Sequence, residues 1–239
     1  MASTLRPLGY LIKWIENVEL LETPEHARNL LEGYAGIPPE EVISHVNRVR
    51  ARALETDLRQ LAANGAQPSK LYGVDICGEF FDIGYELFRD KSSFGATFLQ
   101  ADIFESDSPL VELTNKIDII WTASVIHLWG WKKQRAALQA MLVLLDRSPN
   151  PLLAGRFLGF SEPGEYFFES GGKPESVYRH NDVSFVKLFR EASENFGGWE
   201  VEVEAPVWVE TMKLKMSEEP KHPWDVQIKF MARRKGLYV

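Results

Sequence analysis

The stretch KLYGVDI, residues 70–76, has the pattern of a short buried β-strand that ends on an acidic residue. The stretch ATFLQAD, residues 96–102, repeats this pattern, and an amphipathic helical pattern at residues 79–89 lies between the two. The same alternation continues with strand patterns at residues 117–124 and 151–160 around a helical pattern at residues 134–145. Strands that alternate with helices predict βαβ units, in which a parallel sheet is covered by helices on both faces.

The C-terminal part of the chain has a different period. Residues 199–205 and 224–232 both alternate polar and apolar side chains, which predicts an antiparallel pair of strands joined by a polar connection at residues 213–223. Before them lies a capped helical pattern, Asn181 to Phe196, that Gly197 and Gly198 close. The fold class that follows is α/β, with a Rossmann-like, doubly wound and mostly parallel sheet and an antiparallel C-terminal hairpin.

The N-terminal region has helical patterns. The helical patterns of residues 1–36 predict an N-terminal helical extension. Residues 37–239 are predicted to form one α/β domain, because the chain has no linker long enough to require two domains. After Pro38 and Pro39, apolar residues at helical spacing predict a single helix from about residue 40 to residue 63. The N-terminal helices are also candidates for pairing between two subunits, as a homodimer.

Composition and charge limit the possible functions. The 239 residues include 34 acidic and 27 basic ones, a balance that argues against a nucleic-acid-binding surface, which needs clustered Lys and Arg. Cys77 is the single cysteine, so an intramolecular disulfide and a multi-cysteine zinc site are excluded, and a reducing, cytoplasmic location is expected. No stretch has the ~20 apolar residues of a membrane-spanning helix, and the N-terminus lacks a secretory signal pattern. We expect no metal site.

The two strand-end acids are the first candidates for a binding site. Asp75 and Asp102 end consecutive strand patterns, and doubly wound folds bind ligands at the carboxyl ends of parallel strands. Asp75 could accept hydrogen bonds from both hydroxyls of a ribose. Asp102 could accept one from the exocyclic amine of an adenine, with the backbone N–H and apolar side chain of Ile103 beside it. Together they predict a nucleoside pocket, although taken singly Asp75 could cap a helix and Asp102 could be an ordinary loop residue.

Two histidines follow as weaker candidates. His127, in TASVIHLW after the third strand pattern, could act as a base or as a hydrogen-bond partner of a substrate, or it could pack among Trp129 and Trp131. His180 lies in a polar helix entry that needs no function. A bulky apolar acceptor is suggested by the aromatic residues of the stretch 121–131 and by Phe160, Tyr166, Phe167 and Phe168.

Several of these stretches resemble a known family. LYGVDI (71–76), FLQADIF (98–104) and IDIIWTASVIHLW (117–129), with the terminal hairpin, resemble class I S-adenosylmethionine-dependent methyltransferases. A closer resemblance, to fungal methyltransferases of meroterpenoid and polyketide biosynthesis, is carried by IPPEEVISHV (37–46), DLRQLAANGAQPSKLYGVDI (57–76), GYELFRD (84–90) and YRHNDVSFVKLF (178–189).

The resemblance implies a cofactor and a reaction. The cofactor is S-adenosyl-L-methionine, with Asp75 and Ile76 at its ribose and Asp102 and Ile103 at its adenine. The reaction is methyl transfer to a small secondary metabolite, on a carboxyl or hydroxyl oxygen of a polyketide or terpenoid intermediate. His127 is the candidate catalytic residue.

The sequence departs from this family at one place. Such enzymes carry a first strand and a glycine-rich turn before the segment that corresponds to residues 57–59, and the turn approaches the methionine part of the cofactor. Residues 48–56 instead connect two helical patterns directly, and no glycine occurs from Ile37 to Asn64. A skipped exon or faulty gene model, a decayed gene copy, or a protein that kept the shell for another function would each explain this gap.

Two other functions remain open from the sequence. The first is a protein of methyltransferase shape without methyl transfer, either a binding partner or a cyclase, which the missing turn supports. The second is a nicotinamide-dependent oxidoreductase, which also places an acid after its second strand but needs the same glycine turn and gives no role to Asp102.

Overall fold

The computed structural model describes residues 25–50, 57–145, 150–170, 173–204, 207–208 and 225–234. The backbone contacts divide these residues into two compact units, a first unit at residues 25–109 and a second unit at residues 110–234. Among the described residues, no helix has both the length and the apolar character needed to cross a membrane.

The first unit consists of helices packed on a two-stranded parallel sheet. Its helices are α1 (Glu25–Asn29), which continues as a π-helical turn (Leu30–Tyr34), α2 (Pro39–Arg50), α3 (Asp57–Ala63) and α4 (Glu79–Phe88). Its strands are β1 (Tyr72–Asp75) and β2 (Thr97–Gln100), paired in parallel so that Asp75 lies opposite Gln100. The apolar core joins the π-helical turn to α2 and α4 through Leu30, Leu31, Ile37, Val42, Ile83, Leu87 and Phe88.

A buried ion pair lies beside this core. The guanidinium of Arg59, on α3, donates to both carboxylate oxygens of Asp90 at 2.7 and 2.9 Å, and Tyr34 donates its hydroxyl to the same carboxylate at 3.1 Å. The guanidinium also lies 4.6 and 4.7 Å from the ring centroids of Phe88 and Phe94. Because both charges are removed from water and hydrogen-bonded to each other, the pair fixes α3 to the end of α4.

The second unit is built on a mixed sheet. Its elements are β3 (Ile119–Ala123), α5 (Trp131–Leu144), β4 (Leu152–Phe160), β5 (Gly164–Ser170), β6 (Lys173–Arg179), α6 (Asp182–Ser193), β7 (Trp199–Val203), β8 (Val207–Trp208) and β9 (Asp225–Arg234). The strand order is β3-β4-β9-β7, with β8 also paired to β9. Strands β3 and β4 are parallel, β9 is antiparallel to its neighbours, and β5 and β6 form a separate hairpin.

The local sequence explains the ends of helix α6. Asn181 accepts a hydrogen bond from the backbone N–H of Ser184 at 2.9 Å, and Ser184 accepts one from the backbone N–H of Asn181 at 3.1 Å. This capping box gives hydrogen-bond acceptors to two backbone N–H groups that have no partner within the first turn of the helix. Past the other end, Gly197 and Gly198 have φ angles of +74° and +60°, which glycine adopts without the steric cost that other residues have.

The fold class predicted from the sequence is confirmed. The four strand patterns correspond to β1, β2, β3 and β4. Strand β1 is parallel to β2, β3 is parallel to β4, and the C-terminal strands β7 and β9 are antiparallel to each other. The division into a 1–36 extension and a 37–239 domain stays a prediction. The connection at residues 213–223 lies outside the described residues.

Two details differ from the prediction, and a third is not tested. The expected single sheet is wrong, because β1 and β2 form a sheet separate from that of β3 and β4. Burial on both faces is also wrong for the first strand, since Tyr72 and Val74 are exposed. The single helix from about residue 40 to residue 63 stays a prediction, because α2 and α3 lie in this range and residues 51–56 between them lie outside the described residues.

The divided sheet follows from strand pairing, since no strand in the described ranges pairs with both β1 and β3. The sequence has no apolar strand run between residues 37 and 64, so in the described residues β1 pairs only with β2, and β3 only with β4. A strand with only one neighbour has a row of backbone N–H and C=O groups that pair with no other strand. Its side chains are also more exposed than those of a strand inside a wider sheet.

Candidate functional site

The ends of β1 and β2 bring the two predicted acids to one edge of the first unit. The backbone N–H of Ala101 donates to the carbonyl of Asp75 at 2.9 Å, so the parallel ladder holds Asp75 beside the residues that precede Asp102. Both carboxylates are half-buried, and Ile76, the residue after Asp75, is 66% exposed. The structure therefore brings Asp75 and Asp102 together at the carboxyl ends of neighbouring parallel strands, as the sequence predicts.

The two acids make the same local hydrogen bond. One oxygen of Asp75 accepts from the backbone N–H of Cys77 at 2.8 Å, and one oxygen of Asp102 accepts from that of Phe104 at 2.9 Å. Each acid thus ends its strand in an Asx turn, which fixes the carboxylate with one oxygen on the turn. Helix α4 begins after Gly78, and no side chain caps its N-terminus. Asp75 therefore does not cap this helix; its carboxylate caps the turn between β1 and α4.

An open groove of about 550 Å³ adjoins this edge, between the start of α4 and strand β2. Gly78, Asp82, Tyr85, Phe98 and Gln100 are among its lining residues. The Gln100 side chain donates to the carbonyl of Ile76 at 3.2 Å and passes close to Gly78, where a Cβ atom would lie 2.6 Å from the amide oxygen. A side chain at position 78 would therefore displace the flexible amide end of Gln100.

These residues fit one half of an adenosyl cofactor. Two carboxylates at adjacent strand ends suit the hydroxyls of a ribose and the amine of an adenine, because charged acceptors make strong hydrogen bonds with such donors. The methionine half has no counterpart in the sequence, since the chain has no glycine between Ile37 and Asn64 to allow close approach of the backbone. Within the described ranges, no group of three or more His, Cys, Asp or Glu side chains could hold a metal ion.

His127 belongs to the second unit, on the short 3-10 turn Ile126–Leu128 that follows β3. Burial and the nearby Arg179 guanidinium lower its pKa from 6.5 to about 4, so the ring is neutral at neutral pH. Its Nδ1 atom is buried and, among the described residues, has no hydrogen-bond partner. A ring with so low a pKa is a weak base, and an unpartnered buried nitrogen is suited to a hydrogen bond with a ligand.

His180 is a core residue. Its Nδ1 atom lies 2.9 Å from the Ser184 hydroxyl and its Nε2 atom lies 2.9 Å from the Gln134 side-chain oxygen. Gln134 in turn donates to the carbonyls of Trp129 and Tyr178 at 2.6 and 2.8 Å. Because every polar atom of the ring is satisfied inside the unit, the sequence-based view of His180 as a residue without a binding role agrees with the structure.

This buried ring predicts a pH dependence of stability. Burial lowers the pKa of His180 from 6.5 to about 3, so below pH 6.5 the unfolded chain binds a proton that the folded protein does not. The free energy of unfolding should fall as the pH is lowered through this window, by on the order of 1–2 kcal/mol between about pH 7 and pH 5 from this group. Urea unfolding at both pH values measures it. His180→Gln should lose less stability on acidification than the parent, and an equal loss in both proteins would contradict the prediction.

Sequence reasoning missed the β5–β6 hairpin. It carries Tyr166 and Arg179 next to the His127 turn, and its base is joined to that turn by a 3.0 Å hydrogen bond from the Tyr178 N–H to the Trp129 carbonyl. A partial signal was available, because the dipeptide Gly171-Gly172 follows an aromatic run, Tyr166 to Phe168, and a two-glycine connection is typical of hairpins.

Comparison with known proteins gives a consistent set of relatives. Residues 14–57 match the family described as meroterpenoid methyltransferase N-terminal domain. The O-methyltransferase phiE of Fungal sp. (strain ATCC 74256) is 30% identical over 80% of this chain and 79% of its own length. The methyltransferase trt5 of Aspergillus terreus is 27% identical over 79% of this chain and 84% of its own length.

A solved structure agrees at the level of fold. The [4+2]-cyclase SpnF has a TM-score of 0.51 and 14% identity, with 74% of this chain and 71% of SpnF covered.

The alignment with phiE also contains gaps on the side of this chain. It extends over 239 positions and covers 80% of the 239 residues here, so about a fifth of the aligned positions of phiE have no counterpart in this chain. Gaps of that extent are large enough to include a strand and a turn.

Proposed function

The chain belongs to the S-adenosylmethionine-dependent methyltransferases of the fungal meroterpenoid type, and from this premise we propose that it methylates an oxygen of a small secondary metabolite. The acceptor is a carboxyl or hydroxyl group of a polyketide or terpenoid intermediate. The observation that carries the proposal is the pair of fixed carboxylates, Asp75 and Asp102, at adjacent parallel strand ends.

In this proposal the first unit holds the nucleoside part of the cofactor. Asp75 and Ile76 face the ribose, and Asp102 and Ile103 face the adenine. The Asx turns keep one oxygen of each carboxylate on the backbone and so orient the other, which reduces the conformational entropy lost when the ligand binds. Bound S-adenosylmethionine supplies an activated methyl group on a sulfonium sulfur.

His127 takes a hydrogen-bonding role in this proposal. Because its pKa is lowered to about 4, the imidazole ring is uncharged at neutral pH. It is also a weak base, poorly suited to remove a proton from a hydroxyl group. A carboxylate acceptor is already deprotonated and needs no base, so its orientation toward the methyl group is sufficient. His127 therefore serves to orient the acceptor oxygen rather than to deprotonate it.

A second candidate function is a protein of this family that binds a small molecule without methyl transfer, as a cyclase or a binding partner. The missing glycine-rich turn favours it, because such a turn approaches the methionine half of the cofactor. Cytoplasmic location and homodimer formation stay predictions.

A transfer assay tests the proposal. The purified chain is incubated with isotopically labelled S-adenosylmethionine and a panel of aryl carboxylic acids and phenols, and products are detected by mass spectrometry. We expect labelled methyl esters or ethers, whose yield at limiting cofactor falls when Asp75 is replaced by Asn. Binding of the cofactor without any labelled product would refute the transfer activity and support the second candidate.

A further inference from the structure

Gln100, the last residue of β2, is bonded to the turn that carries Asp75. The parallel register places Gln100 opposite Asp75, at the last ladder position of both strands. Its side-chain amide donates to the carbonyl of Ile76, the residue after Asp75, at 3.2 Å. Because Gln100 and Ile76 are 24 positions apart in the chain, this hydrogen bond joins the turn after β1 to the neighbouring strand.

A single peptide group connects Gln100 with the Asp75 carboxylate. The carbonyl of Ile76 and the N–H of Cys77 belong to the same peptide bond, which is planar and rigid. Gln100 donates to the carbonyl end of this group, and the Asp75 carboxylate accepts from its N–H end at 2.8 Å. A rotation of the peptide would disturb both hydrogen bonds together, so the two side chains restrain each other through it.

Gly78 leaves the space that the Gln100 amide occupies. A Cβ atom at position 78 would lie 2.6 Å from the amide oxygen and 3.1 Å from the amide carbon of Gln100. The φ and ψ angles of Gly78 are −62° and −24°, which any residue adopts, so glycine matters here for space rather than for backbone freedom. The amide can therefore pack against the start of α4 while it donates to Ile76.

Hydrogen bonds, rather than apolar packing, hold this turn. The Ile76 side chain is 66% exposed, so its burial contributes little to the order of the turn. The backbone carbonyl of Asp75 accepts from the Ala101 N–H at 2.9 Å, and the next peptide is held by Gln100 and the Asp75 carboxylate. A carboxylate that is held in one orientation loses less conformational entropy when a ligand binds to it.

We propose that Gln100 is a positioning residue for the ribose subsite, which holds the Asp75 carboxylate, through the Ile76–Cys77 peptide, in the orientation that accepts the ribose hydroxyls. This inference rests on the proposed function and adds to it a residue that acts on the cofactor through Asp75. Glutamine suits the task because its amide donates a hydrogen bond without placing a second charge beside the carboxylate.

Calorimetric titration with S-adenosylhomocysteine tests this role without any transfer reaction. Gln100→Met keeps the length of the side chain and removes its N–H donor, so it should weaken binding at least about threefold, the effect of losing one ordinary hydrogen bond. Gly78→Ala leaves Gln100 in the chain but displaces its amide, so it should weaken binding by a similar factor. This second variant covers the case in which Gln100→Met fails to fold.

A matched control and a double-mutant cycle separate positioning from a general loss of structure. Gln60→Met removes an exposed 3.4 Å hydrogen bond to Asn64 in the same unit and should leave the affinity within about 1.5-fold of the parent value. When Asp75 is already Asn, Gln100→Met should also change the affinity by less than about 1.5-fold, because the carboxylate that it positions is absent. An unchanged affinity in either folded variant, an equal loss in both backgrounds, or a parent that binds no S-adenosylhomocysteine would overturn the inference.

The outcome is distinct from that of the proposed function. A chain that binds S-adenosylhomocysteine, is weakened by Gln100→Met and yields no labelled product in the transfer assay would refute methyl transfer and support the role of Gln100. A chain that yields labelled product and binds S-adenosylhomocysteine equally well with Gln100→Met would refute only the role of Gln100.

Discussion

Replacing Asp75 by Asn is expected to weaken the binding of S-adenosylhomocysteine at least about tenfold and to leave the melting temperature nearly unchanged. The Asn side chain can still accept the turn hydrogen bond from the Cys77 N–H with its one oxygen. It loses the second, charged acceptor, to which the ribose hydroxyls would donate. Hydrogen bonds to charged groups contribute about 1.5–3 kcal/mol each, and 1.4 kcal/mol corresponds to a factor of ten.

Asp75→Ala provides the comparison for this result. It removes the turn bond as well as the charge, so we expect the same loss of affinity together with a loss of about 1 kcal/mol in the free energy of unfolding. Thermal melts with and without S-adenosylhomocysteine measure both quantities. If Asp75→Asn shows the same ligand-induced shift as the parent, Asp75 does not contact the ribose.

The largest effect on stability is expected at Arg59. Changing Arg59 to Met leaves the Asp90 carboxylate, which is 3% exposed, without its bidentate partner. Breaking a buried ion pair from one side costs about 3–5 kcal/mol, because the remaining charge stays desolvated. The double variant Arg59→Met/Asp90→Leu removes both charges and should recover much of this loss.

Urea unfolding of the single and double variants measures this coupling. The matched control is Lys91→Met, since Lys91 forms an ion pair of similar length with Asp82, 2.9 Å, on the exposed surface. Exposed pairs contribute about 0–1 kcal/mol, so this variant should unfold at nearly the parental urea concentration. An Arg59→Met variant as stable as Lys91→Met would show that the buried pair does not hold the first unit together.

The features that the sequence predicted well are those that depend on residues close together in the chain. A strand pattern that ends on an acid needs only about seven residues, so Asp75 and Asp102 were found at neighbouring strand ends as expected. The cap of helix α6 is likewise contained in the four residues from Asn181 to Ser184. In both cases the hydrogen-bond partners lie within a few residues of each other, and residue type with spacing is enough to predict them.

What the sequence could not predict depends on distant partners. Arg59 and Asp90 are 31 residues apart, and His180 and Gln134 are 46 apart, so their pairing is decided only when the helices pack. The division of the sheet also depends on distant pairing, because among the described residues no strand pairs with both β1 and β3. The hydrogen bond from Arg179 to the His127 carbonyl likewise joins residues 52 positions apart and depends on the β5–β6 hairpin.

The central claim, that this shortened chain still holds an adenosyl cofactor at Asp75 and Asp102, is tested most directly by calorimetric titration with S-adenosylhomocysteine. The account predicts saturable binding to one site per chain, weakened at least about tenfold by Asp75→Asn and unaffected by the control Lys91→Met. No heat of binding at about millimolar ligand would contradict it, since an affinity that weak leaves no working cofactor site.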